Sequence, residues 1–222
     1  MKSVTGMTGI PDRDLLSAQL SQRIVTVGRQ IDDAMAGMVS MQLRYLDALD
    51  PTAPIHLYID TPGGCVYHGL HIYDAMQQLQ APVRTYCYGM AMSMGAVLLA
   101  AGEAGRRFIT PNSTVMIHQV SGVTRGRLSE VDVHLAESRR LNEAVCGILA
   151  RHTRRSPTQL LEVMRHDRFF GAEAARDFGL VDEVLYPRHR NLAAPAPGQD
   201  QAPGRSRKRV RGSERGVILP GE

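Results

Sequence analysis

Val83-Arg84-Thr85-Tyr86-Cys87-Tyr88-Gly89-Met90-Ala91-Met92-Ser93-Met94-Gly95-Ala96-Val97-Leu98-Leu99-Ala100-Ala101 is the stretch around which the rest of the chain can be ordered. Val83 to Tyr88 reads as a strand, and Met94 to Ala101 continues as an apolar helix. Small residues at Gly89, Ala91 and Gly95 let the backbone turn tightly between them. A serine after a strand and before a helix has the placement of a nucleophile elbow. A helix starting at Ser93 would aim unbonded N–H groups and a positive dipole end at any oxyanion formed there. The same serine could equally be an ordinary N-cap.

The alternation of strand and helix continues on both sides. Upstream, Arg23 to Val27 and Ile55 to Ile59 read as strands. Ile31 to Leu49 and Val66 to Leu79 carry apolar residues at helical spacing. Downstream, Thr114 to His118 is a strand, Leu128 to Thr153 the longest helix, Ala172 to Phe178 a short helix stopped by Gly179, and Val181 to Leu185 a last strand. Ser156-Pro157 has the N-cap and first-turn proline of another helix start. Strands alternating with helices imply repeated β-α-β units, an α/β fold with a largely parallel sheet.

The 222 residues suit one sizeable core, read as residues 14–187. Residues 1–13 are expected to be a flexible N-terminal segment and residues 188–222 a basic, disordered tail rich in Pro, Gly, Gln and Arg. That tail holds eight Lys or Arg against three Asp or Glu, so it more than accounts for the formal charge of +4. The folded part is near neutral, which argues against a nucleic-acid-binding fold. The apolar patch near Met90 to Ala101 is broken by glycines and Ser93, so no membrane span is expected, and the first residues lack the apolar region of a secretory signal. Cys65, Cys87 and Cys146 are odd in number and fit neither a zinc site nor a disulfide framework. A reducing compartment, the cytoplasm, is the expectation.

Three residue types complete a chemistry. A serine hydroxyl is a weak nucleophile unless an imidazole takes its proton and a carboxylate holds that imidazole. His118 ends an apolar strand, although seven other histidines compete with it and a strand-end histidine is often structural. Asp167, beside Arg168, reads as lying in a loop between two helices, where a salt bridge or a helix cap is the commoner role. Thr61-Pro62-Gly63-Gly64 closes a strand at the end where open α/β sheets bind ligands, or is simply a turn. His68 and His71 share a helical turn but lack a second ligand cluster, so no metal is expected.

Taken together, these runs resemble the family of the Clp protease proteolytic subunit, ClpP, from about Asp14 to Leu185. The matching runs are Tyr58-Ile59 with Pro62-Gly63-Gly64, Ile72-Tyr73-Asp74-Ala75-Met76, Ser93-Met94-Gly95-Ala96, Val115-Met116-Ile117-His118-Gln119, Asp167-Arg168-Phe169 and Phe178-Gly179-Leu180-Val181-Asp182. The resemblance implies a crotonase-like core with a protruding long helix, and serine endopeptidase chemistry. Ser93 falls on the family's nucleophile, His118 on its base and Asp167 on its orienting carboxylate. Gly64 and Met94 fall on its oxyanion-hole donors, and Ser121, Gly122 and Val123 on its peptide-binding segment. Self-association into heptameric rings, stacked as a tetradecamer, is implied, with an AAA+ unfoldase feeding unfolded polypeptide. No cofactor is implied, and the chain has no phosphate-binding loop of its own.

Several positions depart from the family pattern. Val120 stands in place of a usual Pro, Val123 in place of a Gly, Arg127 in place of a Gln, and His166 in place of an Arg that commonly pairs across the rings. His56 replaces an aromatic residue of the unfoldase docking pocket, whereas Tyr58 is kept. These changes raise an alternative: a low-activity structural or regulatory subunit that assembles with a related ClpP subunit in a mixed ring.

Overall fold

A computed structural model describes residues 12–122 and 125–187. The expectations for residues 1–11, for Val123 and for the tail 188–222 lie outside the described residues. The helices are α1 (Asp12–Ser21), α2 (Asp33–Leu49), α3 (Val66–Gln78), α4 (Met94–Ala100), α5 (Leu128–Thr153), α6 (Pro157–Val163) and α7 (Ala172–Phe178). The strands are β1 (Ile24–Val27), β2 (Ile55–Thr61), β3 (Val83–Met92), β4 (Arg107–Ile109), β5 (Thr114–Ile117), β6 (Arg168–Gly171) and β7 (Glu183–Val184).

The strands form one sheet in the order β1-β2-β3-β4-β7, all parallel, with β5 added to β3 and β6 to β5. β3 runs past Tyr88 to Met92, further than its apolar alternation suggests, because its two halves have different neighbours. Thr85 to Cys87 pair with β4, whereas Met90 to Met92 pair with β5. Gly89, at φ +82°, sits at the changeover, where a Cβ would lie 2.7 Å from the Asp60 carboxylate. β6 is antiparallel to β5, the only antiparallel pair among the described strands.

Local signals explain the helix ends. Asp32 caps α2 by accepting from the Met35 N–H at 2.8 Å. Ser156 and Gln159 exchange the bonds of a capping box at the start of α6, with Pro157 in the first turn. Every residue of α4 is buried, which explains a helix that is apolar all round. The expected apolar stripe of α5 is buried only in its second half, from Leu141 onward, while Leu128 (79%) and Leu135 (46%) are exposed.

The least foreseeable part of the core is Arg107. Its guanidinium donates to both oxygens of Asp182, at 2.8 and 2.6 Å. Its Nη1 serves the carbonyls of Ala100, His152 and Gly179, at 3.0 to 3.2 Å. One cation thus meets the carboxyl ends of α4, α5 and α7, where partial negative charge collects. Burial alone would raise the Asp182 carboxyl, but hydrogen bonds and charge from Arg107 outweigh it and hold it below the usual value.

Candidate active site

Strand register brings the three candidate residues together. Met92 pairs with Met116 at the end of the β3–β5 ladder, and the Ser93 N–H continues it by donating to the Met116 carbonyl at 2.8 Å. Ser93 therefore leaves β3 beside the residue that leaves β5, which is His118. In the antiparallel β5–β6 pair, Ile117 faces Arg168, so the next residue of β5 meets the preceding residue of β6. Those residues are His118 and Asp167. Asp167 thus does not sit in a plain loop between helices, because a strand follows it directly. That strand is short and begins with an exposed arginine, so its alternation is hard to see in the sequence. Phe170 is buried against Phe178 and fixes the register, while Phe169 faces out.

The side chains meet in a chain of two hydrogen bonds. His118 Nδ1 lies 3.1 Å from Asp167 Oδ1, and His118 Nε2 lies 2.9 Å from Ser93 Oγ. A carboxylate can only accept, so Nδ1 carries the proton of a neutral imidazole and Nε2 is left to accept from the serine hydroxyl. Asp167 is 60% exposed and His118 only 21%, so the relay runs from solvent inward.

Ser93 does not cap α4 with its side chain, which turns to His118 instead. Its backbone is held at φ +53°, ψ −119°, a conformation that a residue with a Cβ rarely adopts. The cap reading of the sequence thus gives way to that of a strained elbow.

Gly64 and Met94 line the same cavity as Ser93 and His118. Ile31 bridges to Gly64 through the Gly63 carbonyl and the Cys65 N–H, at 2.8 and 3.0 Å. A parallel bridge of this kind uses the groups on either side of Gly64 and turns its own N–H the other way. Met94 is the first residue of α4, so its N–H lacks a helical partner. A Cβ on Gly64 would fall 2.2 Å from the Ile31 carbonyl oxygen, so only glycine fits there. Gly69 has the same role toward Met94, whose side chain packs directly on α3.

Gly64, Ser93, Met94 and His118 line one end of a cavity of about 50 Å³. Val66, Val97, Ile117, Val120, Val145 and Leu149 form its apolar walls, and Ser121 lies at its edge. Gly122 is exposed beyond Ser121, and Val123 lies outside the described residues. Val66, Val97, Val145 and Leu149 carry no chemistry in the sequence. Only the return of α3, α4 and α5 to one point makes them a wall.

A family model described as Clp protease matches residues 11–188 of this chain. The chain belongs to the Clp protease family. The match spans every described element of the sheet and its helices, and the α/β architecture agrees with it. The family is one of proteases, so peptide-bond hydrolysis is the reaction class against which this cavity is read.

Proposed function

We propose that this chain is a serine endopeptidase subunit of a ring-forming, ATP-dependent Clp protease, cleaving unfolded polypeptide to short peptides. The observation that carries the proposal is the relay Asp167–His118–Ser93, with bonds of 3.1 and 2.9 Å, in a cavity also lined by Gly64 and Met94. His118 Nε2 takes the Ser93 proton as Oγ attacks the scissile carbonyl, and Asp167 holds the imidazolium that forms. The N–H groups of Gly64 and Met94 donate to the oxyanion, a contribution worth roughly 10²–10³ in rate per donor. His118 then protonates the leaving amine, and water releases the acyl group by the reverse sequence. The apolar walls of the cavity suit the side chain on the acyl side of the scissile bond.

Two surfaces support the proposed assembly and partners. The first half of α5 leaves Leu128 and Leu135 exposed on one face, seven residues apart, and stacking on a second ring would cover them. On the sheet, Tyr86 stacks on Tyr58 and on Phe108, and His56 Nδ1 lies 2.9 Å from the Tyr86 hydroxyl. Tyr58, Tyr88 and Ile24 also line a groove of about 420 Å³, the place proposed for an AAA+ unfoldase. Cys65, Cys87 and Cys146 are unpaired, in keeping with a reducing location such as the cytoplasm.

A fluorophosphonate probe tests the central claim. The assembled protein is expected to label at Ser93, and Ser93→Ala to abolish both labelling and peptide cleavage. Absence of Ser93-dependent labelling would refute it. The alternative, a low-activity subunit of a mixed ring with a related ClpP chain, is motivated by Val120 and His166 flanking the site. Native mass measurement separates the two. A tetradecamer of this chain alone that cleaves peptides excludes the alternative.

A further inference from the structure

Thr61, the last residue of β2, is fully buried and takes no part in the Ser93–His118–Asp167 relay. Its hydroxyl donates to the Arg29 carbonyl at 2.7 Å and accepts from the Gly63 N–H at 3.1 Å. A hydroxyl has one proton to give; the Gly63 carbonyl also lies 3.4 Å away, but the Arg29 carbonyl at 2.7 Å is the nearer acceptor and takes it. The Gly63 carbonyl in turn accepts from the Ile31 N–H at 2.8 Å. The Gly63–Gly64 turn is therefore held on both sides, by Thr61 from within β2 and by Ile31 from the β1–α2 loop.

The other arm of the side chain faces α4. A Cβ on Gly95 would lie 2.5 Å from Thr61 Cγ2, so this methyl occupies the space directly over the residue after Met94. One side chain thus braces the support of both proposed oxyanion donors: its hydroxyl secures the turn carrying Gly64, and its methyl seats the first turn of α4 carrying Met94. A valine would keep the shape and lose the first function. A serine would keep the hydroxyl and lose the second contact.

We infer that Thr61 is the positioning residue that holds the Gly64 amide at the distance an oxyanion requires, acting through Gly63 and touching no substrate itself. The inference rests on the proposed serine peptidase function. Because the amide acts on charge that develops only in the transition state, its misplacement lowers kcat and leaves KM largely unchanged. A displacement of about 1 Å at a reacting centre is enough to cost about 10²-fold.

The experiment uses the full chain in its assembled state, a fluorophosphonate probe and a short chromogenic peptide. Thr61→Val is expected to lower the Ser93 labelling rate and kcat by about 10- to 100-fold, with KM within about threefold of wild type. Thr61→Ser is expected to lose clearly less kcat than Thr61→Val, because the hydroxyl that holds the Gly63–Gly64 turn is retained and only the methyl contact over Gly95 is lost. Should Thr61→Val not fold, Thr61→Cys replaces it, since a thiol is a weaker donor and acceptor in nearly the same volume, and its kcat is expected below that of Thr61→Ser. An unchanged kcat in Thr61→Val, an equal loss in Thr61→Ser, or a loss confined to KM overturns this inference alone. A wild-type chain with no Ser93-dependent labelling overturns the proposed function, and this inference with it.

Discussion

Arg107 offers the sharpest test of how the core is held. Its side chain is 8% exposed and Asp182 is 23% exposed, so both charges sit largely out of water. Replacing Arg107 by Met leaves the Asp182 carboxylate without its bidentate partner and removes the donor shared by the Ala100, His152 and Gly179 carbonyls. Breaking a buried pair from one side costs about 3–5 kcal/mol. Stranded carbonyls would add about 1 kcal/mol or more each if water could not reach them. A shorter side chain admits some water, so the total should stay near the 3–5 kcal/mol of the pair. Against a typical domain stability of about 5–15 kcal/mol this is a large fraction. The double change Arg107→Met with Asp182→Leu should cost less than Arg107→Met alone, because it leaves no buried charge behind. Urea unfolding at one fixed protomer concentration measures both, since self-association shifts apparent stability. A single-variant loss under about 1 kcal/mol, or a double-variant loss equal to the sum of the singles, would refute the account.

Three further outcomes are expected. Asp167→Asn should lower peptide cleavage by about 10²- to 10⁴-fold while leaving the protein folded, because an amide can present the wrong hydrogen-bonding group to His118 Nδ1; steady-state kinetics with circular dichroism reads this. Gly64→Ala should slow Ser93 labelling by about 10²-fold or more, since its Cβ must displace the Ile31 carbonyl lying 2.2 Å away; labelling at the wild-type rate would count against the assigned amide. Burial first, and then Arg107 and Arg151, hold the His152 imidazole below its ordinary value. The unfolded chain therefore takes up this proton before the folded one does, and stability should fall as pH drops below about 6.5, levelling off beneath the folded pKa. His152→Gln should flatten part of that slope in urea midpoints taken from about pH 8 to 5, and an unchanged slope would exclude His152 as its source.

The parts of the fold that could be read from the chain are those where a local pattern and the tertiary environment agree. The β3–α4 join was legible because small residues flank a lone serine between a strand and an apolar helix. The α6 start was legible because Ser156, Pro157 and Gln159 form a local capping unit. What escaped reading depends on distant partners. β4 and β6 are three and four residues long and each begins with arginine, so neither offers enough alternation to stand out. Arg107 looks like an ordinary edge cation until three helix ends converge on it. In the sequence, Asp167 has a partner only through the family resemblance; the physical reason is the register that sets Arg168 opposite Ile117 and so brings Asp167 to His118. Helix α1 carries too weak an apolar face to be marked by periodicity, with Leu15 and Leu16 exposed. Thr61 reads as turn chemistry, and only its two-sided contact with Gly63 and Gly95 gives it a further role.

The backbone at Ser93 has a consequence beyond the reaction. A residue with a Cβ held at φ +53°, ψ −119° costs about 1–3 kcal/mol, and glycine alone would relieve it. Ser93→Gly should therefore melt later than Ser93→Ala, although both lack the proposed nucleophile. Directed evolution for heat resistance, run without an activity readout, would settle on glycine at this position and deliver a sturdier protein stripped of its proposed nucleophile.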